Sequence, residues 1–298
     1  MTYAELEVVM HGTLGTSQKQ AFLSDLNAAV RIVPGMPRVR FDCEVGADAE
    51  AWLKRKHANG AVHEPATLAA FVALSQRFAF RNIFDVGALF GYFSLFCSAL
   101  FEDAQVTAFE LLPGAMKPLW RNVYPTVTCV HAAVSDVGLE AQRVWVSGFN
   151  IFEEPEGGWE SLPNVPGAMK KRGENGRGRG FVTVDFITLD TYCAHAGPPD
   201  LIKIDVEAYQ AKALRGAHKT IRQHKPVIVI ELHDLEKVER MGMSNRDTIQ
   251  PVLDAGYLGF WCGNHRSIDA TFECVTEMGP EHERLSLMVL LPEERLTI

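Results

Sequence analysis

Four apolar runs each end on groups able to hold or move a proton. Ile83-Phe84 ends on Asp85, Gln105–Phe109 on Glu110, Pro199–Ile204 on Asp205, and Pro226–Ile230 on Glu231 with His233 just beyond. In an open α/β sheet ligands lie outside the carboxyl ends of the strands, so side chains far apart in sequence face one crevice. Asp85 also begins a D-x-G-x-x-x-G pattern with Gly87 and Gly91, and Tyr92–Phe101 then carries helix-like apolar periodicity. Strand, glycine turn and helix together form the opening of a cofactor crevice. One glycine lets the chain turn sharply toward a ligand; the other lets the helix start pack close to the strand. Glu110 stands at the next strand's end, where an acid holds the hydroxyls of a ribose.

Two details favour S-adenosylmethionine over a dinucleotide. The spacing is G-x-x-x-G rather than the G-x-G-x-x-G of a pyrophosphate cradle. The acid at the first strand's tip suits the ammonium of a methionine moiety and would repel a pyrophosphate. A glycine turn with no ligand is the plain alternative, because such motifs occur by chance.

The same strand ends offer chemistry beyond binding. Group transfer to an alcohol oxygen would be helped by a base within hydrogen-bond reach of its proton. His233 is the expected base, with an ordinary pKa near neutrality, and Asp205 is expected to orient it or to take the proton itself. Lys203 reads as structural, and His131 and His63 as packing or loop contacts. Asp205, Glu231 and His233 could alternatively hold a magnesium ion, although no compact ligand motif marks a metal site.

These groups need elements to position them. At 298 residues, with 47% apolar and 22% charged residues, the chain has ample material for one large globular domain with an N-terminal extension. A formal net charge of −8 argues against nucleic acid as the main partner. The cysteines form no C-x-x-C pair and read as buried thiols. No basic-then-apolar leader and no apolar run of membrane-spanning length is present, so a cytoplasmic protein is expected. Gln18–Ile32 reads as a helix, Val39-Arg40-Phe41 as a short strand and Asp48–His57 as a helix, together a cap over residues 1–60. Glu64-Pro65 opens a helix through Gln76 and places Glu64 near the crevice mouth. Strands are expected at Thr126–His131, Tyr257–Cys262 and Leu285–Leu291, and helices at Pro113–Asn122, Tyr209–Gln223 and Ser244–Ala255. The loop Ala132–Asp136 puts Ala133, Ser135 and Asp136 beside an adenine. Gln142–Val146 and Phe181–Phe186 resemble a strand pair around a Gly-, Pro- and charge-rich insertion, Ser147–Gly180. The insertion reads as a solvated mobile loop, although its basic stretch Lys170–Gly180 could receive an anionic substrate. Alternating strands and helices followed by a terminal antiparallel hairpin predict a doubly wound α/β sheet of seven strands.

EPATLAAF (Glu64–Phe71), DVGALFGYFS (Asp85–Ser94), VTAFELLP (Val106–Pro113), HAAVSD (His131–Asp136), TLD (Thr188–Asp190), PDLIKIDVE (Pro199–Glu207), LRGA (Leu214–Ala217) and PVIVIELH (Pro226–His233) follow one another in unbroken order. On these segments the chain resembles the FkbM family of S-adenosylmethionine-dependent methyltransferases. The resemblance implies a class I Rossmann-like methyltransferase fold and O-methylation of a hydroxylated natural product or sugar. The cofactor-facing set is then Glu64, Asp85, Gly87, Gly91, Tyr92, Glu110, Ala133, Ser135, Asp136 and Asp205, with His233 and Asp205 catalytic. Two positions depart from the family pattern: the usual DVGANxG asparagine is Leu89, and the usual glycine after KIDVE is Ala208. A nicotinamide-dependent oxidoreductase and a non-catalytic binding protein are the competing readings.

Overall fold

A computed structural model describes residues 3–33, 63–123, 125–147, 150–153, 179–239 and 242–296. The expected strand at Val39–Phe41, the helix at Asp48–His57, the boundary near residue 60 and most of the basic stretch lie outside them. Among the described residues, no helix is long and apolar enough to cross a membrane.

The chain runs α1 (Tyr3–Ile32), α2 (Pro65–Ser75), β1 (Asn82–Val86), α3 (Tyr92–Leu100), β2 (Gln105–Glu110), α4 (Pro113–Val123), β3 (Val127–His131) and β4 (Ala133–Val134). It continues through β5 (Leu139–Ser147), β6 (Asn150–Glu153), β7 (Arg179–Ile187), α5 (Leu189–Ala196), β8 (Leu201–Ile204), α6 (Gln210–Arg215) and α7 (His218–His224). β9 (Val227–Leu232), α8 (Leu235–Glu239), α9 (Asn245–Leu253), β10 (Tyr257–Cys262), β11 (Glu273–Val275) and β12 (Ser286–Pro292) close it.

The main sheet has the order β11-β10-β12-β9-β8-β1-β2-β3. Parallel pairing joins β9, β8, β1, β2 and β3, while β12 runs antiparallel between β9 and β10. The seven expected strands are all there, and the three-residue β11 adds an unforeseen eighth at the edge. Strand order reverses at β1, whose neighbours are β2 and β8. That reversal opens the crevice where a ligand binds in a doubly wound sheet. β1, β8 and β9 are almost wholly buried, as helix-covered parallel strands must be.

Helix α1 lays Phe22, Leu26, Ala29 and Val30 on one sheet face, with Phe22 edge-on to Phe260 of β10 at 5.0 Å. The Asn27 side chain pairs with both backbone groups of Phe272, tying the helix to the chain beyond β10. Helices α2 and α3 fill the same face, and the segments packed on the opposite face include α6, α7 and α9.

The single helix expected over Tyr209–Gln223 is two. A Cβ at Gly216 would lie 1.8 Å from the Ser135 carbonyl oxygen, so the loop after β4 presses on the backbone there. α7 restarts beyond it, its first N–H groups (Lys219, Thr220) donating to the Asp190 carboxylate. The expected strand pair is observed as antiparallel β5 and β7 in a second sheet ordered β4-β7-β5-β6.

Candidate active site

At the carboxyl ends of β1, β2, β8 and β9 the chain encloses one cavity. Its floor is the turn Gly87–Phe90. Gly87 has φ +80°, and a Cβ there would fall 1.8 Å from the Asp205 carbonyl oxygen, so only glycine lets β1's exit cross β8's exit. One end is lined by Glu110, Leu111, Leu112 and Ala132–Val134, the other by His63, Glu64, Lys203, Asp205, Glu207, Glu231 and Arg266. Phe186 of the second sheet and Tyr209 add aromatic walls.

Glu110 is almost fully buried, yet lines the cavity. Its oxygens accept from the backbone N–H of Leu89 at 2.8 Å and of Leu112 at 2.6 Å. Lone pairs remain on the carboxylate, so the group can still accept from ligand hydroxyls. Burial pushes its pKa up to about 7, against the pull of the N–H groups of Leu112, Leu89 and Leu111.

Of the expected cofactor-facing residues, Glu64, Gly87, Tyr92, Glu110, Ala133 and Asp205 line this cavity. Four do not, and each has a structural task instead. Asp85 is wholly buried, accepts from Ser94 Oγ at 2.6 Å and lies 3.3 Å from Lys203 Nζ. It orders the first turn of α3 and balances the lysine rather than facing an ammonium. Gly91 makes room for α4, since its Cβ would meet Val123 Cγ1 at 2.4 Å; it packs α3's start on a helix, not on the strand. Ser135 is fully buried, its hydroxyl between Asp136 and the Tyr209 hydroxyl, and Asp136 is turned toward Arg215.

His233, the expected base, sits apart from these residues. It does not line the cavity; its side chain is 3% exposed, with Nε2 3.3 Å from Glu207 and 3.4 Å from Glu231. Burial lowers its pKa, but the hydrogen bond to Glu207 and the charges of Glu231 and Asp205 outweigh that and raise it. Set behind Glu207 and Glu231, its Nε2 faces those carboxylates rather than the cavity. His233 instead anchors two carboxylates.

The polar end is built mainly of paired charges. Lys203 lies 3.3 Å from Asp85 and 3.6 Å from Asp205. Burial works against its charge, but Asp85, Asp205 and Glu64 hold its pKa above the ordinary value. Burial likewise raises the pKa of Asp205, and Lys203 and His233 overcome it, leaving that carboxyl below its usual range. Glu64 and Glu231 are pushed up to about 8, first by burial and then by neighbouring carboxylates. His265 and Arg266 complete the end: Glu231 Oε1 lies 2.9 Å from His265 Nε2 and 2.7 Å from Arg266, which is also 3.6 Å from Glu64. Sequence reading missed both, because they arrive on a loop with no motif.

The expected magnesium set of Asp205, Glu231 and His233 does bring its ligand atoms within 4.8 Å of one another. The donors nevertheless do not fit a metal. Glu231 Oε1 is taken by Arg266 and His265, and His233 Nε2 is shared between Glu231 and Glu207. The arginine and lysine already supply the cationic charge that a metal would bring.

Left-handed backbone concentrates here. Glu64, Leu89 and Glu207 line the cavity with φ of 49°, 50° and 49°, and Ala208 follows at 79°. The two departures from the FkbM pattern, Leu89 and Ala208, thus occupy positions where asparagine and glycine relieve strain. Ala208→Gly should stabilise the chain by about 0.5–1 kcal/mol, the left-handed penalty less glycine's added chain entropy. Urea unfolding checks this; an unchanged or lower midpoint would refute the strain.

A doubly wound sheet whose β12 runs antiparallel between β9 and β10, with a glycine turn and acid sharing one crevice, defines a class I methyltransferase fold. Residues 85–258 match the Methyltransferase FkbM domain, and the chain belongs to that family of S-adenosylmethionine-dependent methyltransferases. An oxidoreductase reading is thereby set aside. No curated protein matches the chain. Among solved structures, it is similar to a methyltransferase FkbM from Methylobacillus flagellatus KT (14% identity, TM-score 0.40), covering 82% of this chain and 58% of that one. It is also similar to an O-methyltransferase from Bacillus cereus in complex with SAH (11%, TM-score 0.39), covering 82% and 88%. A third is Aeropyrum pernix fibrillarin with natively bound S-adenosyl-L-methionine (11%, TM-score 0.37), covering 74% and 73%.

Proposed function

We propose that this chain methylates a hydroxyl oxygen on a small acceptor, a natural product or sugar, using S-adenosylmethionine held in the cavity. The observation that carries this is the cavity's polarity: a ribose-type acid at one end and an acid–base cluster at the other. Glu110 would accept the ribose hydroxyls, and Ala133 with Leu111 and Leu112 would flank the base. The cofactor supplies an electrophilic methyl carbon on a sulfonium; the protein supplies alignment and field. Asp205, kept ionised by Lys203, would place negative charge near the cofactor's sulfonium. His233, from behind, fixes Glu207 and Glu231.

The test is a mass-spectrometric screen of hydroxylated natural products and sugars incubated with the protein and S-adenosylmethionine. One acceptor class should gain the mass of a methyl group, with S-adenosylhomocysteine formed in equal amount. Methyl gain confined to nitrogen, sulfur or carbon positions of these acceptors, with every hydroxyl left free, would overturn the O-methylation reading.

A further inference from the structure

With His233 walled off, the proton of the acceptor hydroxyl needs another destination, and the structure offers one that the sequence reading passed over. His63 is the one histidine among the described residues that lines the cavity. Its Nε2 stands 3.4 Å from Glu64 Oε1, and Glu64 is itself held by the Thr67 hydroxyl, 3.3 Å from Oε2. The imidazole is stacked on Phe93 at 6.0 Å and meets the Tyr92 ring edge-on at 5.7 Å, and its backbone N–H donates to the Tyr92 hydroxyl. Three contacts thus fix the ring's plane, while its side chain is still 12% exposed toward the cavity. A histidine oriented by a carboxyl, which is oriented in turn by a hydroxyl, is the usual arrangement for drawing a proton from an oxygen nucleophile.

We propose that His63 is the general base of the methyl transfer and Glu64 its positioning residue; this rests on the O-methylation reading above. The acceptor oxygen bonds to the methyl carbon as the carbon–sulfur bond breaks, its electron pair returning to sulfur. The hydroxyl proton passes to the His63 imidazole, so the sulfonium's positive charge is replaced by that of an imidazolium. The charged and titratable groups at the same end of the cavity as His63 are Glu64 beside it, Tyr92, Lys203 across Phe93, and Asp205, Glu207, Glu231 and Arg266. Asp205 and His63 interact favourably as opposite charges, so an imidazolium formed there is stabilised in place. Neither Asp205 nor Lys203 competes for the proton: each pairs with the other, the first held ionised and the second protonated.

The experiment measures S-adenosylhomocysteine release with a pooled library of hydroxylated sugars and phenols, alongside calorimetric binding of S-adenosylhomocysteine. His63→Gln and His63→Ala should lower turnover by about 10²–10⁴-fold and leave S-adenosylhomocysteine affinity within about threefold of wild type. The wild-type rate should rise with pH through the histidine range and on past about 8, because only neutral imidazole accepts a proton and Glu64 orients it as a carboxylate only once ionised; His63→Gln should lose that rise. Added imidazole should restore part of the His63→Ala rate, a rescue that a merely structural role would not give. Should either variant fail to bind S-adenosylhomocysteine, Glu64→Gln replaces it, with a displaced pH profile as the expected outcome and an undisplaced one overturning the assignment. Retention of more than a tenth of the rate by His63→Gln, with the wild-type pH profile, would overturn the assignment. Wild type that binds S-adenosylhomocysteine but releases none from any pooled acceptor would sink the hydroxyl reading itself, and the base with it. No binding at all would instead remove the cofactor assignment.

Discussion

Replacing Lys203 with methionine should destabilise the protein by about 3–5 kcal/mol, the cost of leaving buried charge without its partner. Lys203 is 3% exposed and stands between Asp85, wholly buried, and the partly exposed Asp205. No other cation lies as close to Asp85 among the described residues. Domains of this kind have about 5–15 kcal/mol in all, so the variant should sit near its unfolding threshold at room temperature. Neutralising the abandoned acid as well, in Lys203→Met with Asp85→Asn, should recover part of the loss. Urea denaturation of both variants measures this. A single variant as stable as wild type would show that the three charges are not coupled.

Glu110→Ala should weaken S-adenosylhomocysteine binding by tenfold or more, because two donors on the ligand and two backbone N–H groups lose one acceptor. The pH dependence carries a definite sign. With its pKa near 7 in the free protein, Glu110 is protonated on the acid side of neutrality, and a protonated carboxyl accepts poorly. Hydroxyls donating to the carboxylate favour the ionised form, so affinity should rise by up to about tenfold between about pH 6 and pH 8 and then level off. Glu110→Gln should bind more weakly and lack that component of the rise. The same raised pKa works against folding: this group's contribution to stability falls as pH climbs from its ordinary 4.5 through about 7. Calorimetric titration across this range decides the matter; equal affinities for wild type and both variants would remove Glu110 from the site.

The cofactor half of the cavity was legible in the sequence because its determinants are local. Asp85, Gly87 and Gly91 define strand, turn and helix within ten residues, and Glu110 is one strand away in both sequence and space. Even so, residue type did not reveal orientation. Asp85 looked like a ligand-facing acid and is turned instead onto Ser94 and Lys203, a difference set by which face of β1 each side chain takes. The acceptor half was less legible because it is assembled over long range. His265 and Arg266 reach Glu231 from the loop between β10 and β11, some 34 residues on, with no periodicity to announce them. His233 and His63 were indistinguishable as letters; burial behind Glu207 and Glu231 keeps the first off the cavity, while the second lines it. The broken helix at Gly216 failed for the same reason, since its cause is the Ser135 carbonyl, about 80 residues away in sequence.

The most direct test of the site is calorimetric titration of the full chain with S-adenosylmethionine, S-adenosylhomocysteine and NADH. One equivalent of each adenosyl ligand should bind, with Glu110→Ala weakening both and NADH giving no heat above dilution. Binding of NADH as tight as that of S-adenosylhomocysteine, or adenosyl binding untouched by Glu110→Ala, would contradict a methyltransferase cofactor site at the ends of β1 and β2.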